Sequence, residues 1–117
     1  MLRNGGRKTQ KIYNMSFALL YVTFEKEEEA NEIVDSLLER KLIAGANVVS
    51  SQSSFWWKGA VQKRGEYLAV MQTSIHIWEK VERAIEEMHP YEVPCIIRLE
   101  AESNEAYEKW IEDIVCS

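Results

Sequence analysis

The feature that most constrains the fold is the order in which two hydrophobic periods follow one another along the chain. Apolar residues fill both faces of residues 16–24, which is typical of a central strand. The next apolar residues recur at helical spacing, and the two patterns then keep alternating. Strand patterns cover residues 16–24, 43–57, 67–72 and 95–99, and helical patterns cover 30–38, 78–88 and 107–114. The order is therefore βαββαβ followed by a short helix.

This order predicts a ferredoxin-like α+β sandwich, in which two helices cover one face of a four-stranded antiparallel sheet. The other face carries Tyr, Trp and Val side chains and starts without a cover. Burying one large aromatic side chain stabilises by roughly 2–3 kcal/mol, so several exposed together favour association. The pattern therefore predicts an oligomer.

Local signals place the ends of these elements. Three acids at residues 27–29 suit the first turn of helix one, where the helix dipole favours negative charge, and Arg40 and Lys41 suit its end. Thr73 or Ser74 is expected to cap the second helix, and Asn104 the third. The last helix should face inward with four residues, which are Tyr107, Trp110, Ile111 and Ile114.

The two middle strands should form a hairpin. Gly59 and Gly65 are expected to mark turns, and the polar run at residues 50–54 indicates either a bulge or an edge. Trp56 and Trp57 are adjacent, so a strand points them to opposite faces. One of them should enter the protomer or an oligomer core. The other should line a cleft between chains or a second packed interface.

Both prolines of the chain lie in the segment HPYEVP at residues 89–94. Pro90 disfavours helical torsions at His89, so the second helix should stop near Met88. Pro94 cannot donate to a sheet ladder, so it should stand at the start of the fourth strand or on an unpaired edge. The prolines therefore predict a stiff connection from helix to strand, but they do not explain His89, Tyr91 or Glu92.

Composition and charge limit the functional classes. The chain has 117 residues, of which 46% are hydrophobic and 28% charged, as expected for one folded domain spanning residues 15–117. Residues 1–14 hold four basic and no acidic residues, and we expect a flexible basic leader or a tag there. This leader contributes +4 to the net charge of −5, so the rest carries −9. Such an acidic body argues against nucleic acid as a partner and is compatible with cation binding.

The localisation expected from the sequence is cytoplasmic. The apolar run after the leader is too short for a membrane span and lacks a small-x-small cleavage site. Cys95 and Cys116 lie far apart without metal-ligand spacing, which predicts neither a disulfide framework nor a zinc site. We expect no membrane partner.

Catalytic material is scarce. The chain has two histidines, His76 and His89, and no Ser or Cys nucleophile beside a base. The sequence therefore predicts no enzyme. A glycine-rich nucleotide loop is also missing, which weakens a nucleotide-binding hypothesis.

Several motifs in this order resemble the divalent-cation tolerance protein family CutA. They are YVTF at residues 21–24, KLIAGANV at 41–48, FWWKG at 55–59, HPYEVP at 89–94 and YEKWI at 107–111. The resemblance covers residues 17 to about 115. It implies a ferredoxin-like protomer in a tight homotrimer, with the long second and third strands reaching into neighbours. It also implies an association with metal tolerance and with copper, and no established catalytic reaction.

The resemblance implies His89 as a copper ligand, since it is the histidine of the HPY motif. At three other positions proposed as ligands in the family, this chain has Val22, Gly45 and Met88 instead of cysteine or histidine. Copper sites prefer thiolate or imidazole ligands, and Cys95 and Met88 flank His89 as soft substitutes. No cofactor is required by this reading, and Cu(II) or another divalent cation is the expected ligand.

The runner-up interpretation is a signalling module like the trimeric PII proteins, which would bind a small ligand in clefts between subunits. Side chains from two chains can build such a cleft, so motifs of one chain do not exclude it. Trp57, Glu66 and Tyr91 are the candidate cleft residues.

Overall fold

The computed structural model describes residues 16–116. The predicted leader, residues 1–14, lies outside this range. The described part folds as predicted, in the order βαββαβ plus a C-terminal helix. The elements are β1 (Phe17–Phe24), α1 (Glu27–Glu39), β2 (Gly45–Trp57), β3 (Ala60–Ser74), α2 (Trp78–Met88), β4 (Ile96–Ala101) and α3 (Glu105–Val115).

The four strands of the described part form one antiparallel sheet in the order β2, β3, β1, β4. β1 is central and apolar on both faces, as predicted. The run at residues 50–54 lies on the edge strand β2 and pairs without a bulge, since each residue from Gly45 to Trp57 has one partner on β3. The edge alternative is therefore the correct one.

β2 and β3 extend well past the end of the neighbouring strand β1. β1 pairs only with residues 67–74 of β3, so residues 51–57 and 60–66 pair with each other alone. We call this projecting hairpin the arm. Its loop is Lys58 and Gly59, whose φ values of 51° and 82° fit a type I′ turn. Gly59 marks a turn as predicted, but Gly65 lies inside β3, because the alternation simply continues through it.

The helix limits agree with the predictions, and Asn104 is the N-cap residue of α3 as predicted. α1 begins with its three glutamates, and Glu29 Oε1 accepts a hydrogen bond from the Lys26 N–H at 3.3 Å. The predicted cap of α2 is wrong. Ile77 is the N-cap residue, because Thr73 donates its hydroxyl to the Leu42 carbonyl at 2.6 Å. Ser74 instead accepts the N–H of His76 in the preceding turn, at 3.0 Å.

One core lies between the sheet and the helices α1 and α2. β1 contributes alternate side chains to it: Leu20 and Val22 pair with the buried Met71 and Ala69 of β3, and Phe24 pairs with the half-buried Tyr67. The fully buried large members are Leu20, Val22, Phe24, Leu37, Ile43, Met71, Val81 and Ile85. α2 ends at Met88, which confirms the end predicted from Pro90.

The second face of the sheet is covered only at one end. Ile111 of α3 packs there with Phe17, and Tyr107 and Ile114 are half-buried beside them. Trp110, which was predicted to face inward, is 44% exposed because α3 has no layer on its outer side. The rest of this face stays open, with Tyr21, Val49, Ile97 and Leu99 between 38% and 52% exposed. No helix within residues 16–116 combines the length and apolarity that a bilayer span requires.

Candidate functional site

A cleft of about 900 Å³ runs along the arm, from the sheet at Tyr21 to Trp57 beside the arm's loop. Its floor is the second face of the sheet, because directly paired residues of antiparallel strands point to the same side. The register puts Ser53 opposite Arg64 and Ser51 opposite Glu66, while Tyr21 comes from the neighbouring β1. The wall is the loop from Pro90 to Cys95. A volume of this size suits a small organic molecule.

Glu66 is the most buried charged group of the cleft, with 5% of its surface exposed. Its Oε2 accepts a 2.5 Å hydrogen bond from the Tyr91 hydroxyl and lies 3.4 Å from Arg64 Nη2. Burial alone would raise the pKa of this carboxyl, yet the hydrogen bonds from Tyr91 and Ser53 and the charge of Arg64 hold it below its usual value. Glu66 is therefore a fixed negative charge at neutral pH.

The same contacts act in the opposite direction on Tyr91. Burial raises the pKa of its hydroxyl, and the hydrogen bond to the Glu66 carboxylate raises it further. The phenol therefore stays protonated and acts as a donor, which is the state that Glu66 requires. Tyr91 and Glu66 together join the loop wall to the floor of the cleft.

Arg64 lies between two aromatic rings. Its guanidinium carbon is 5.3 Å from the ring centroid of Phe55 and 5.3 Å from that of Tyr91. A cation over a ring face is attracted by the ring quadrupole, and the Glu66 carboxylate balances its charge. The guanidinium is thus held from three sides.

His89 fastens the loop behind the cleft. Its Nδ1 accepts the backbone N–H of Tyr91 at 3.1 Å, which leaves the ring proton on Nε2, where it is donated to the Thr23 carbonyl at 2.8 Å. The ring stacks on Phe24 with 4.6 Å between centroids and is 8% exposed. Burial lowers the pKa of His89, so the imidazole is neutral at pH 7. His89 therefore positions Tyr91, whose hydroxyl reaches Glu66.

Trp57, Glu66 and Tyr91 all line this cleft, but only Glu66 and Tyr91 are in contact, while Trp57 lies at the far end beside the arm's loop. Trp56 and Trp57 point to opposite faces as their adjacency predicts, but neither enters the protomer core: they are 74% and 37% exposed. The protomer alternative is therefore wrong, because both tryptophans lie on the arm, where β2 and β3 pair only with each other. Sequence reasoning missed Arg64 and Phe55. Arg64 and Phe55 lie two residues before Glu66 and Trp57, and residues two apart on a strand share a face, so this spacing could have identified them.

The residues at the metal positions are not grouped in one chain. Within residues 16–116, no three His, Cys, Asp or Glu side chains are placed to hold a metal ion. Val22 belongs to the core on the helix side, whereas Gly45 pairs with Gln72 on the opposite face, near Trp110. Both ring nitrogens of His89 are already hydrogen bonded. A metal ligand at His89 would have to release the Tyr91 N–H or the Thr23 carbonyl.

Comparisons with known proteins point to one family. Residues 18–114 match the family model described as CutA1 divalent ion tolerance protein. The divalent-cation tolerance protein CutA of Pyrococcus horikoshii is 38% identical over 94 residues, which are 80% of this chain and 92% of that protein. The Protein CutA homolog of Xenopus laevis is 35% identical over 102 residues, covering 86% and 68% of the two chains.

Solved structures agree with the sequence matches. CutA1 from Pyrococcus horikoshii superposes with a TM-score of 0.81 at 35% identity, over 84% of this chain and 97% of that one. The CutA protein of Archaeoglobus fulgidus, described as periplasmic, gives a TM-score of 0.82 at 31% identity, over 85% and 98%. These comparisons lend no support to the PII-like alternative. The chain belongs to the CutA1 divalent ion tolerance protein family.

Proposed function

We propose that this chain takes part in the tolerance of divalent cations as a homotrimer in the cytoplasm, and that it catalyses no reaction. Its family and the names of its relatives support the link to divalent cations. The observation that carries the proposal is the open second face of the sheet next to the projecting arm. Both are surfaces that a second and third copy of the chain would cover.

The open face supports assembly on energetic grounds. Tyr21, Ile97 and Leu99 stand side by side on β1 and β4 with 38%, 45% and 52% of their surfaces exposed. Burying the exposed half of each such side chain is worth about 1 kcal/mol, so a packed interface gains about 3 kcal/mol from these residues alone. β2 and β4 are also the two edges of the sheet, and each presents unpaired backbone groups to another strand. Two different edges on one copy suit a head-to-tail ring.

For the metal, we propose Cu(II) or another divalent cation, with His89 as a contributing ligand. Since one chain groups no three ligands in its described part, the site would draw on more than one copy. His89 would contribute Nδ1 after the Tyr91 N–H moves away. Isothermal titration calorimetry of the assembled protein with Cu(II) and Zn(II) tests this.

The chain offers a matched control for that titration. His76 is an exposed histidine in the turn before α2. Stoichiometric copper binding that is lost in His89→Gln and kept in His76→Gln supports the proposed site. Equal loss in both variants, or no binding by the unchanged protein, contradicts it. Sedimentation of each variant checks that assembly is intact.

For the small-molecule site, we propose the cleft around Trp57, Glu66 and Tyr91. The support is that three elements distant in sequence converge there on a buried, fully paired carboxylate.

The two free thiols, Cys95 and Cys116, support the cytoplasm as the compartment. Cell fractionation tests this, and a chain recovered mainly from a periplasmic fraction would contradict it.

A further inference from the structure

We propose that Tyr91 is a positioning residue for assembly, which holds the arm in the one direction that a second copy of the chain can receive. The inference rests on the proposed homotrimer, and it names the contact that prepares the arm for docking. Three features of the described residues support it: the arm lacks a neighbouring strand, Tyr91 contacts the arm where it leaves the sheet, and the arm carries apolar side chains near its loop.

The arm has no neighbouring strand within the described part of the chain. β1 ends at Phe24, which pairs with Tyr67 of β3, and the residues of β3 from Ala60 to Glu66 pair with β2 alone. A ribbon of two strands is marginally stable by itself in water, and its twist varies more than that of a wider sheet. The direction of the arm therefore depends on contacts outside its own ladder.

Tyr91 supplies such contacts at the root of the arm. Its hydroxyl donates to Oε2 of Glu66, the first residue of β3 beyond the end of β1. Its ring lies 5.3 Å from the guanidinium carbon of Arg64, which shares a face with Glu66 and is nearer the loop. Because Glu66 is 5% exposed, loss of the hydroxyl leaves a buried carboxylate short of a donor that water does not replace.

Tyr91 is itself fixed to the core. Its N–H is accepted by His89 Nδ1 at 3.1 Å, and His89 Nε2 donates to the Thr23 carbonyl of β1 at 2.8 Å. The His89 ring also stacks on Phe24, the last residue of β1. A continuous set of contacts therefore runs from the end of β1 through His89 and Tyr91 to Glu66. It takes the place of the strand pairing that stops at Phe24.

The direction of the arm matters because its apolar surface lies near the loop. Trp56 and Val61 are directly paired there, with 74% and 50% of their surfaces exposed. At about 3.3 Å per residue, Val61 is about 17 Å from Glu66, so a turn of about 10° at the root displaces it by about 3 Å. Packed apolar contacts lose much of their attraction over gaps of about 1 Å. A second copy therefore packs closely on this surface only when the arm keeps one direction.

Assembly measured over a dilution series of the full chain tests the proposal. Sedimentation gives the midpoint, which is the concentration at which half of the protein is assembled. Enough urea is added to bring the midpoint of the unchanged protein into the micromolar range. We expect Tyr91→Phe to raise the midpoint at least about tenfold, because each docking must then restore order that the arm has lost. Phe keeps the ring beside Arg64, so the variant removes only the hydroxyl.

A control variant separates positioning from a general loss of stability. Ile43→Val removes one methyl group from the buried core just before β2, at the end of the sheet opposite to the arm. It destabilises the fold without touching Tyr91 or the arm. We expect its midpoint to stay within about threefold of that of the unchanged protein. A shift in Tyr91→Phe that is no larger than the shift in Ile43→Val would overturn the proposal.

A double-variant cycle shows whether Tyr91 acts through Glu66. Glu66→Leu removes the acceptor of the Tyr91 hydroxyl, whereas Glu66→Gln keeps an amide oxygen that can accept it. We expect Glu66→Gln to raise the midpoint less than Glu66→Leu. We also expect the double variant Tyr91→Phe/Glu66→Leu to raise it by less than the product of the two single shifts. Single shifts that simply multiply would mean that the two residues act independently, which contradicts the proposal.

The outcomes separate this inference from the proposed function. A homotrimer whose midpoint is unaffected by Tyr91→Phe overturns the inference alone. A chain that shows the expected shifts but ignores copper overturns the metal part of the proposed function and leaves the role of Tyr91 standing. An unchanged protein that stays monomeric at micromolar concentration without urea contradicts both.

Discussion

The hydroxyl of Tyr91 donates a 2.5 Å hydrogen bond to Oε2 of Glu66, and this contact joins the loop after α2 to the middle of β3. Because Glu66 is 5% exposed, the hydroxyl replaces water that the carboxylate would otherwise bind. The contact therefore stabilises the fold and also shapes the cleft.

Removing that hydroxyl should be costly. We expect Tyr91→Phe to lower the free energy of unfolding by about 1–3 kcal/mol, because a buried carboxylate loses a donor. Tyr107→Phe keeps the ring contacts with Phe17 and Trp110 and should stay within about 0.5 kcal/mol. Chemical denaturation at pH 7 measures both. Equal stability of the two variants would mean that the contact carries no weight in the fold.

Glu66 should also make stability depend on pH. Its pKa is held below the usual 4.5 in the folded protein, so the unfolded chain takes up a proton first as the pH falls. Stability from this group is therefore complete above about pH 4.5 and is lost as the pH falls through the lowered value. We expect Glu66→Gln to flatten the acid limb of a denaturation series, and Glu102→Gln, in the exposed loop before α3, to leave it unchanged. An acid limb of the same steepness in both variants would contradict this assignment.

His89 should be structural in the metal-free protein. We expect His89→Ala to cost about 2–4 kcal/mol, because it removes a ring stacked on Phe24 and frees both the Thr23 carbonyl and the Tyr91 N–H. His76→Ala, in an exposed turn, should cost less than about 0.5 kcal/mol. Thermal or denaturant unfolding without metal provides the comparison. A stable His89→Ala variant would show that another contact fixes the loop.

Much of the fold could be predicted from local patterns. The order of elements follows from periodicity, and the end of α2 follows from Pro90, since both act within a few residues. The cap of α2 could not be predicted, because the Thr73 hydroxyl donates to the Leu42 carbonyl, 31 residues away in the sequence. The helical spacing of apolar residues predicts that Trp110 faces inward, but its exposure depends on whether another layer packs outside α3.

The candidate site divides in the same way. Trp57, Glu66 and Tyr91 were chosen from the sequence, and the structure places them in one cleft. The position of Arg64 between Phe55 and Tyr91 depends on a loop that returns from another part of the chain, so no local pattern shows it. The hydrogen bonds of His89 were missed for the same reason, since Thr23 lies 66 residues away.

The open face of the sheet gives a direct test by substitution. Leu99 is 52% exposed on β4, and Leu38 is 39% exposed on α1, on the opposite side of the molecule. We expect Leu99→Glu to shift the protein to smaller species, because a charge buried between copies without a partner costs several kcal/mol. Leu38→Glu should assemble normally. Assembly that survives Leu99→Glu would exclude this part of the face from the interface.

Sedimentation equilibrium of the unchanged protein at micromolar concentration tests the central claim most directly. We expect one species with three times the 13.6 kDa mass of a single chain. A stable species of 13.6 kDa, with Tyr21, Ile97 and Leu99 open to water, would contradict it.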